Sequence, residues 1–139
     1  MAGTYTLAPL TFDPSKQYDW SDLVNSMPVT IALKAHIGDA AEGDTFALLR
    51  HHDGRYGLSV FGWASCSECD VLKGCKTLDD LTEVRDNVWN GIHWEDNATA
   101  LLAYLDNTDL ALKWWGHTVG GRDFAAQAKR HLVRLATAS

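Results

Sequence analysis

Residues 45–63 read TFALLRHHDGRYGLSVFGW, and residues 29–37 before them read VTIALKAHI. In the earlier stretch Val29, Ile31, Leu33, Ala35 and Ile37 alternate with Thr30, Ala32, Lys34 and His36. A period of two with β-branched residues predicts a half-buried strand. Thr45–His52 predicts a second strand and Tyr56–Trp63 a third. Between them Asp53-Gly54 is a strong hairpin signal, because a type I′ turn needs positive φ and Asp and Gly tolerate it. The three strands, about 29–37, 45–52 and 56–63, form an antiparallel meander. Gly38–Gly43, small and acidic, connects the first two.

Outward from the meander the pattern changes to helix. Thr77-Leu-Asp-Asp80 resembles a capping box, with Asp80 in the usual Glu or Gln position. Leu78, Leu81, Val84, Val88 and Ile92 follow at three- and four-residue spacing, an amphipathic stripe. Asp96 or Asn97 caps a second helix, Ala98–Leu105. Phe124, Ala128, Leu132 and Leu135 define a last one with a basic outer face. Strands first and helices after predict an α+β fold, with about three helices on one face of the sheet. Residues 1–28, broken by Pro9, Pro14 and Pro28, read as an N-terminal arm anchored by Tyr5, Phe12, Tyr18 and Trp20. A short helix starts there at Asp19 or Ser21. The 139 residues suit one domain.

Charge narrows the function classes. Twelve Lys and Arg against 18 Asp and Glu give a net charge of −6, which disfavours nucleic acid and anionic membranes as partners. No apolar run approaches the roughly 20 residues of a membrane span. The opening MAGTYTLAPL has no basic residue and no long apolar core, so cytoplasmic location is expected. The charge is uneven. Residues 37–110 hold 14 acidic and 5 basic side chains, a net of −9; residues 122–139 hold Arg122, Lys129, Arg130 and Arg134 against Asp123, a net of +3. The simpler expectation is two surfaces that attract each other within the fold. The sharper one is an acidic face for a basic partner.

The stretch with candidate chemistry is GWASCSECDVLKGC, residues 62–75. Cys66 and Cys69 form a CxxC, and Cys75 adds a third sulfur. Such thiols chelate Zn²⁺, exchange with disulfides or fill space. A structural zinc site needs four ligands, so a histidine must complete this one. A meander returns the end of its first strand to the end of its third, which makes His36 the preferred fourth ligand. Asp70 is an oxygen alternative. Packing of the thiols as small hydrophobes is the simpler expectation, with no cofactor.

The pattern Trp63-Ala-Ser-Cys66-Ser-Glu-Cys69-Asp70-Val-Leu72-Lys-Gly-Cys75, followed by a Thr-capped helix and Ile92-His-Trp94, resembles that of small proteins encoded by bacteriophages, particularly those infecting actinobacteria. The resemblance spans about residues 56–105. It implies an accessory or early phage product acting inside the host cytoplasm, and it carries no known activity. Glu68 departs from it, where a small residue is expected, and makes the loop more acidic.

Six Trp residues are an enrichment. Adjacent Trp114 and Trp115 cannot both face inward on one strand. With His117 and Arg122 they form a candidate surface for a protein or a small anionic or aromatic ligand. Gly120-Gly121 ahead of the last helix reads as a turn, or as an anion site with Arg122. No GxSxG, Walker loop, HExxH or GxGxxG is present. His36-Ile-Gly and Ser65-Cys66 lack the Glu and Pro of a zinc deaminase. The expected function is therefore non-catalytic: a phage accessory protein that binds a host or phage protein. The alternative is a metal-binding or thiol-dependent protein using Cys66, Cys69, Cys75 and His36.

Overall fold

In the computed structural model, which describes residues 7–38, 42–64, 72, 74–107 and 118–138, the three expected strands form and pair in order. β1 is Val29–Gly38, β2 Glu42–His51 and β3 Tyr56–Ala64. A short β4, His93–Glu95, joins β3 antiparallel, so the sheet has four strands in the order β1-β2-β3-β4. Helix α1 is Trp20–Val24, α2 Leu78–Gly91, α3 Ala98–Asp106 and α4 Thr118–Ala138. The fold is α+β. The sequence lacks an obvious signal for β4, because three residues are too few to display a period.

The hairpin sits where expected but uses a different turn. Gly54 has φ of 100° and is the sole described residue with positive φ, so Asp53 stays in the ordinary region. The Gly54 N–H donates to the His51 carbonyl, and the His51 N–H to that of Arg55. This is a three-residue loop with glycine at the left-handed position, which asks positive φ of Gly54 alone and not of Asp53.

The largest departure from expectation is that helices cover both faces of the sheet. Residues 45–49 of β2 are all buried, the mark of a strand enclosed on both sides. Ala47 and Leu49 pack with Trp20, Leu23 and Val24 of α1 and with Leu81 and Val84 of α2. Phe46 and Leu48 point the opposite way, into Leu101 and Leu105 of α3 and Phe124, Ala128 and Leu132 of α4. A single helical layer would have left Phe46, Leu48 and Leu58 in water.

β1 explains part of the difference. Ile31 pairs with Leu49 but Leu33 with Leu48, so Ala32 is an extra, bulged residue. A bulge exchanges the faces of everything beyond it. Val29 packs on the α1–α2 side, whereas Leu33 and Ala35 pack on the α3–α4 side. Ile31 is left 36% exposed, and Lys34 returns to the α1 side, where its Nζ lies 5.9 Å from the Trp20 ring.

β4 is held by side chains more than by length. Trp94 pairs with Gly57, and a Cβ there would lie 2.6 Å from Trp94 Cε3 and 2.7 Å from Ile92 Cγ2. Only hydrogen fits under that indole. The arm packs as anticipated through Phe12 and Tyr18, joined by Leu7 and Leu10; Tyr5 lies outside the described residues. Buried Arg85 ties arm to helix, its Nη1 donating to the Ala8 carbonyl and to Ser26 Oγ. Gly120 and Gly121 lie within the first turn of α4 and so belong to the helix, not to a turn ahead of it. Their cost, roughly 1 kcal/mol each against Ala, is offset by the buried Phe124–Ala128–Leu132 stripe.

Candidate interaction surface

Two charged helix faces stand out. The start of α2 is fixed by the expected capping box. Asp80 N–H donates to Thr77 Oγ1 at 3.1 Å, and the Asp80 carboxylate accepts from the N–H groups of Lys76 and Thr77. Those bonds, the Lys76 one foremost, hold the Asp80 carboxyl below its ordinary pKa. Asp80 is thus engaged locally. Asp79 and Glu83, four residues apart, remain exposed on the outer face, and Asp86 accepts from Arg85 Nε at 2.8 Å. Leu78, expected in the core, is instead 42% exposed beside them. Leu81, Val84, Val88 and Ile92 carry the burial for this helix.

α4 presents the opposite sign. Arg130 and Arg134, also four apart, are exposed, and Val133 between them is 45% exposed. Lys129 reaches Asp106 at 3.4 Å. Both partners are partly or fully open to solvent, so this pair is worth little.

The acidic stretch 37–110 and the basic residues 122–139 are expected to attract each other within the fold, and α3 of that stretch does pack on α4. The acidic face of α2, by contrast, has the sheet between it and α4. Two layer spacings of about 10 Å put α2 and α4 roughly 20 Å apart, beyond the ~8 Å over which charges act at physiological salt. Among the described residues, Lys129–Asp106 is the one ion pair between the acidic stretch and the basic helix.

The residues singled out from sequence are only partly placed. Cys66, Cys69, Asp70, Trp114, Trp115 and His117 lie outside the described residues. Arg122 is in the first turns of α4, with its side chain outside the description. Cys75 is half-buried against the α1–α2 core, its N–H donating to the Leu72 carbonyl. His36 pairs with Thr45, and Thr45 with Phe61, so its backbone sits at the sheet end where β3 leads into the cysteine stretch. Its side chain is likewise outside the description. Among the described residues no three metal-ligating side chains converge. Nor is any described helix long and apolar enough to cross a membrane.

Two further clusters were not anticipated. His51 is buried, with its ring 5.8 Å from that of Trp89 and 5.4 Å from that of Trp94. Burial lowers its pKa, against the pull of Asp53. Its Nδ1 accepts from the Asp53 N–H at 3.0 Å, so at neutral pH the imidazole is the uncharged acceptor. The nearby Asp53 carboxylate, 3.1 Å away, becomes an ion partner only on acidification. On the other side of β4, His93 Nε2 and Glu95 Oε2 are 2.6 Å apart, and the His93 ring stacks on Tyr104 at 3.7 Å. The alternation His-Trp-Glu in residues 93–95 sends Trp94 to one face and the His–Glu pair to the other, which is evident only once these residues pair with β3. Neither cluster adjoins a nucleophile among the interactions described.

No family model, curated protein or solved structure matches the chain.

Proposed function

We propose that this chain is a non-catalytic binding module, a phage accessory protein acting in the host cytoplasm, whose α2 face docks a basic surface on a host or phage protein. The observation that carries this is the separation of charge. Asp79 and Glu83 face solvent with the sheet between them and the arginines of α4, so Arg130 and Arg134 of the same chain do not satisfy them. Exposed Leu78 supplies an apolar contact at the same place. Interfaces of this kind use charge for steering and a few apolar anchors for affinity. The resemblance of residues 56–105 to small phage proteins supports the cellular setting.

The test is capture from an actinobacterial lysate by the tagged chain. A specific partner should be retained at about 0.1 M salt and released at several-fold higher ionic strength. Asp79→Asn with Glu83→Gln should lose it, and Arg130→Gln with Arg134→Gln should keep it. Recovery of nothing above background, or loss only in the arginine variant, would end this reading.

A second reading is a metal or thiol centre built from Cys66, Cys69, Cys75 and His36. It is supported by the register that brings His36 to the end of the sheet from which the cysteine stretch departs. Elemental analysis of the purified protein tests it. Stoichiometric zinc that disappears in Cys69→Ser would support it, and its absence from freshly prepared protein would remove it.

A further inference from the structure

The basic face of α4 has no role in the function proposed above, and it is complementary to α2 in detail. Asp79 and Glu83 are separated by one helical turn, about 6 Å. Arg130 and Arg134 have the same separation. Each pair is accompanied by an exposed aliphatic one position before its neighbouring charge: Leu78 before Asp79, and Val133 before Arg134. Among the described residues these are two of the three large hydrophobics exposed to solvent.

An antiparallel crossing of two such helices sets Arg130 against Glu83 and Arg134 against Asp79. It also places Leu78 and Val133 on the same flank, where they can touch. A parallel crossing puts them on opposite flanks. Within one molecule this contact cannot form, because α2 and α4 lie on opposite faces of the sheet. We therefore propose that the acidic α2 face of one copy docks antiparallel on the basic α4 face of a second copy. The two surfaces differ, so the contact is heterologous, and its surfaces sit on opposite sides of the molecule. Such contacts propagate head to tail and do not close in a symmetric dimer. The net charge of −6 opposes association at long range, but the close pairs act within a few ångströms, inside the ~8 Å screening length at physiological salt.

This association uses the α2 face assigned above to a basic partner, yet it needs only the purified chain. A lysate experiment that recovers nothing leaves it standing. Sedimentation velocity of the full chain across a concentration series is the test. At about 0.15 M salt the weight-average mass should climb towards at least twice that of the monomer, and it should fall back at about 0.5 M. The variant Asp79→Asn/Glu83→Gln and the variant Arg130→Gln/Arg134→Gln should each remain monomeric alone. Mixed one to one, they retain a single intact interface and should form a dimer and nothing larger. A wild-type chain that is monomeric throughout overturns the proposal. So does association that persists in either variant alone, or a mixture that stays monomeric while the wild type associates.

Discussion

The two layers that enclose the sheet are built differently. On the α3–α4 side the contacts are almost wholly aliphatic and aromatic, with Phe46 and Phe124 stacked at 5.5 Å at the centre. On the α1–α2 side the core is stitched by polar and aromatic anchors between distant parts of the chain: Arg85 to Ala8 and Ser26, His51 to Trp89 and Trp94. The first layer takes its stability from area removed from water. The second also depends on groups that must be satisfied one by one, so its failures are local and chemically specific.

Truncation on the aliphatic side should have the largest effect. Phe124, which is fully buried, leaves a large cavity when replaced, and Phe124→Ala should cost about 3–5 kcal/mol. Urea unfolding should show the loss as a cooperative shift of the whole transition. A loss below about 1 kcal/mol would mean that α4 is not integral to the core.

Arg85→Met should act locally. It keeps much of the side-chain volume but removes the donor to the Ala8 carbonyl and to Ser26 Oγ, which keeps its own bond to the Leu23 carbonyl, at about 1–3 kcal/mol. Hydrogen exchange should accelerate in the arm and α1 while the α3–α4 amides keep their protection. Equal acceleration in both layers would remove the contrast between them.

The smallest effect is a pH slope. Because burial lowers the His51 pKa in the folded state, the unfolded chain binds its proton more readily. Stability therefore falls as pH drops below about 6.5, the ordinary value, down to the depressed folded value. One proton limits the slope to about 1.4 kcal/mol per pH unit. His51→Gln should flatten it between pH 7 and 5.5, as read from urea midpoints. Further losses belong to Asp13, Asp22 and Asp80, whose pKa values are also lowered. Hydrogen bonds from Ser15 lead for Asp13. For Asp22, burial opposes the shift but is outweighed by bonds from Asp19 and Lys16. These carboxylates stabilise the fold above their unfolded pKa, and that contribution disappears as pH falls through the folded values.

The candidate surface was half legible in the sequence. The acidic and basic segments were plain from composition, whereas their relative placement was not, because it depends on which face of the sheet each helix covers. Leu78 illustrates the limit. Its position fits the amphipathic stripe of α2, yet it stands in the first turn, beyond the edge of the core. The His93–Glu95 pair was missed because β4 has meaning only once β3 offers an edge.

Determined along the chain were the caps at Thr77 and Asn97, the hairpin at Asp53-Gly54 and the central parts of β1, β2 and β3, although β2 begins at Glu42, inside the stretch expected to connect it to β1. Each is set by hydrogen bonds and steric preferences acting within a few residues, so local residue types suffice. Decided only in three dimensions were the bulge at Ala32, the second helical layer, the Trp94–Gly57 contact and the exposure of Leu78 and Val133. These depend on burial shared between segments far apart in sequence, and the helical and strand periods by themselves do not say which neighbour will cover a given face.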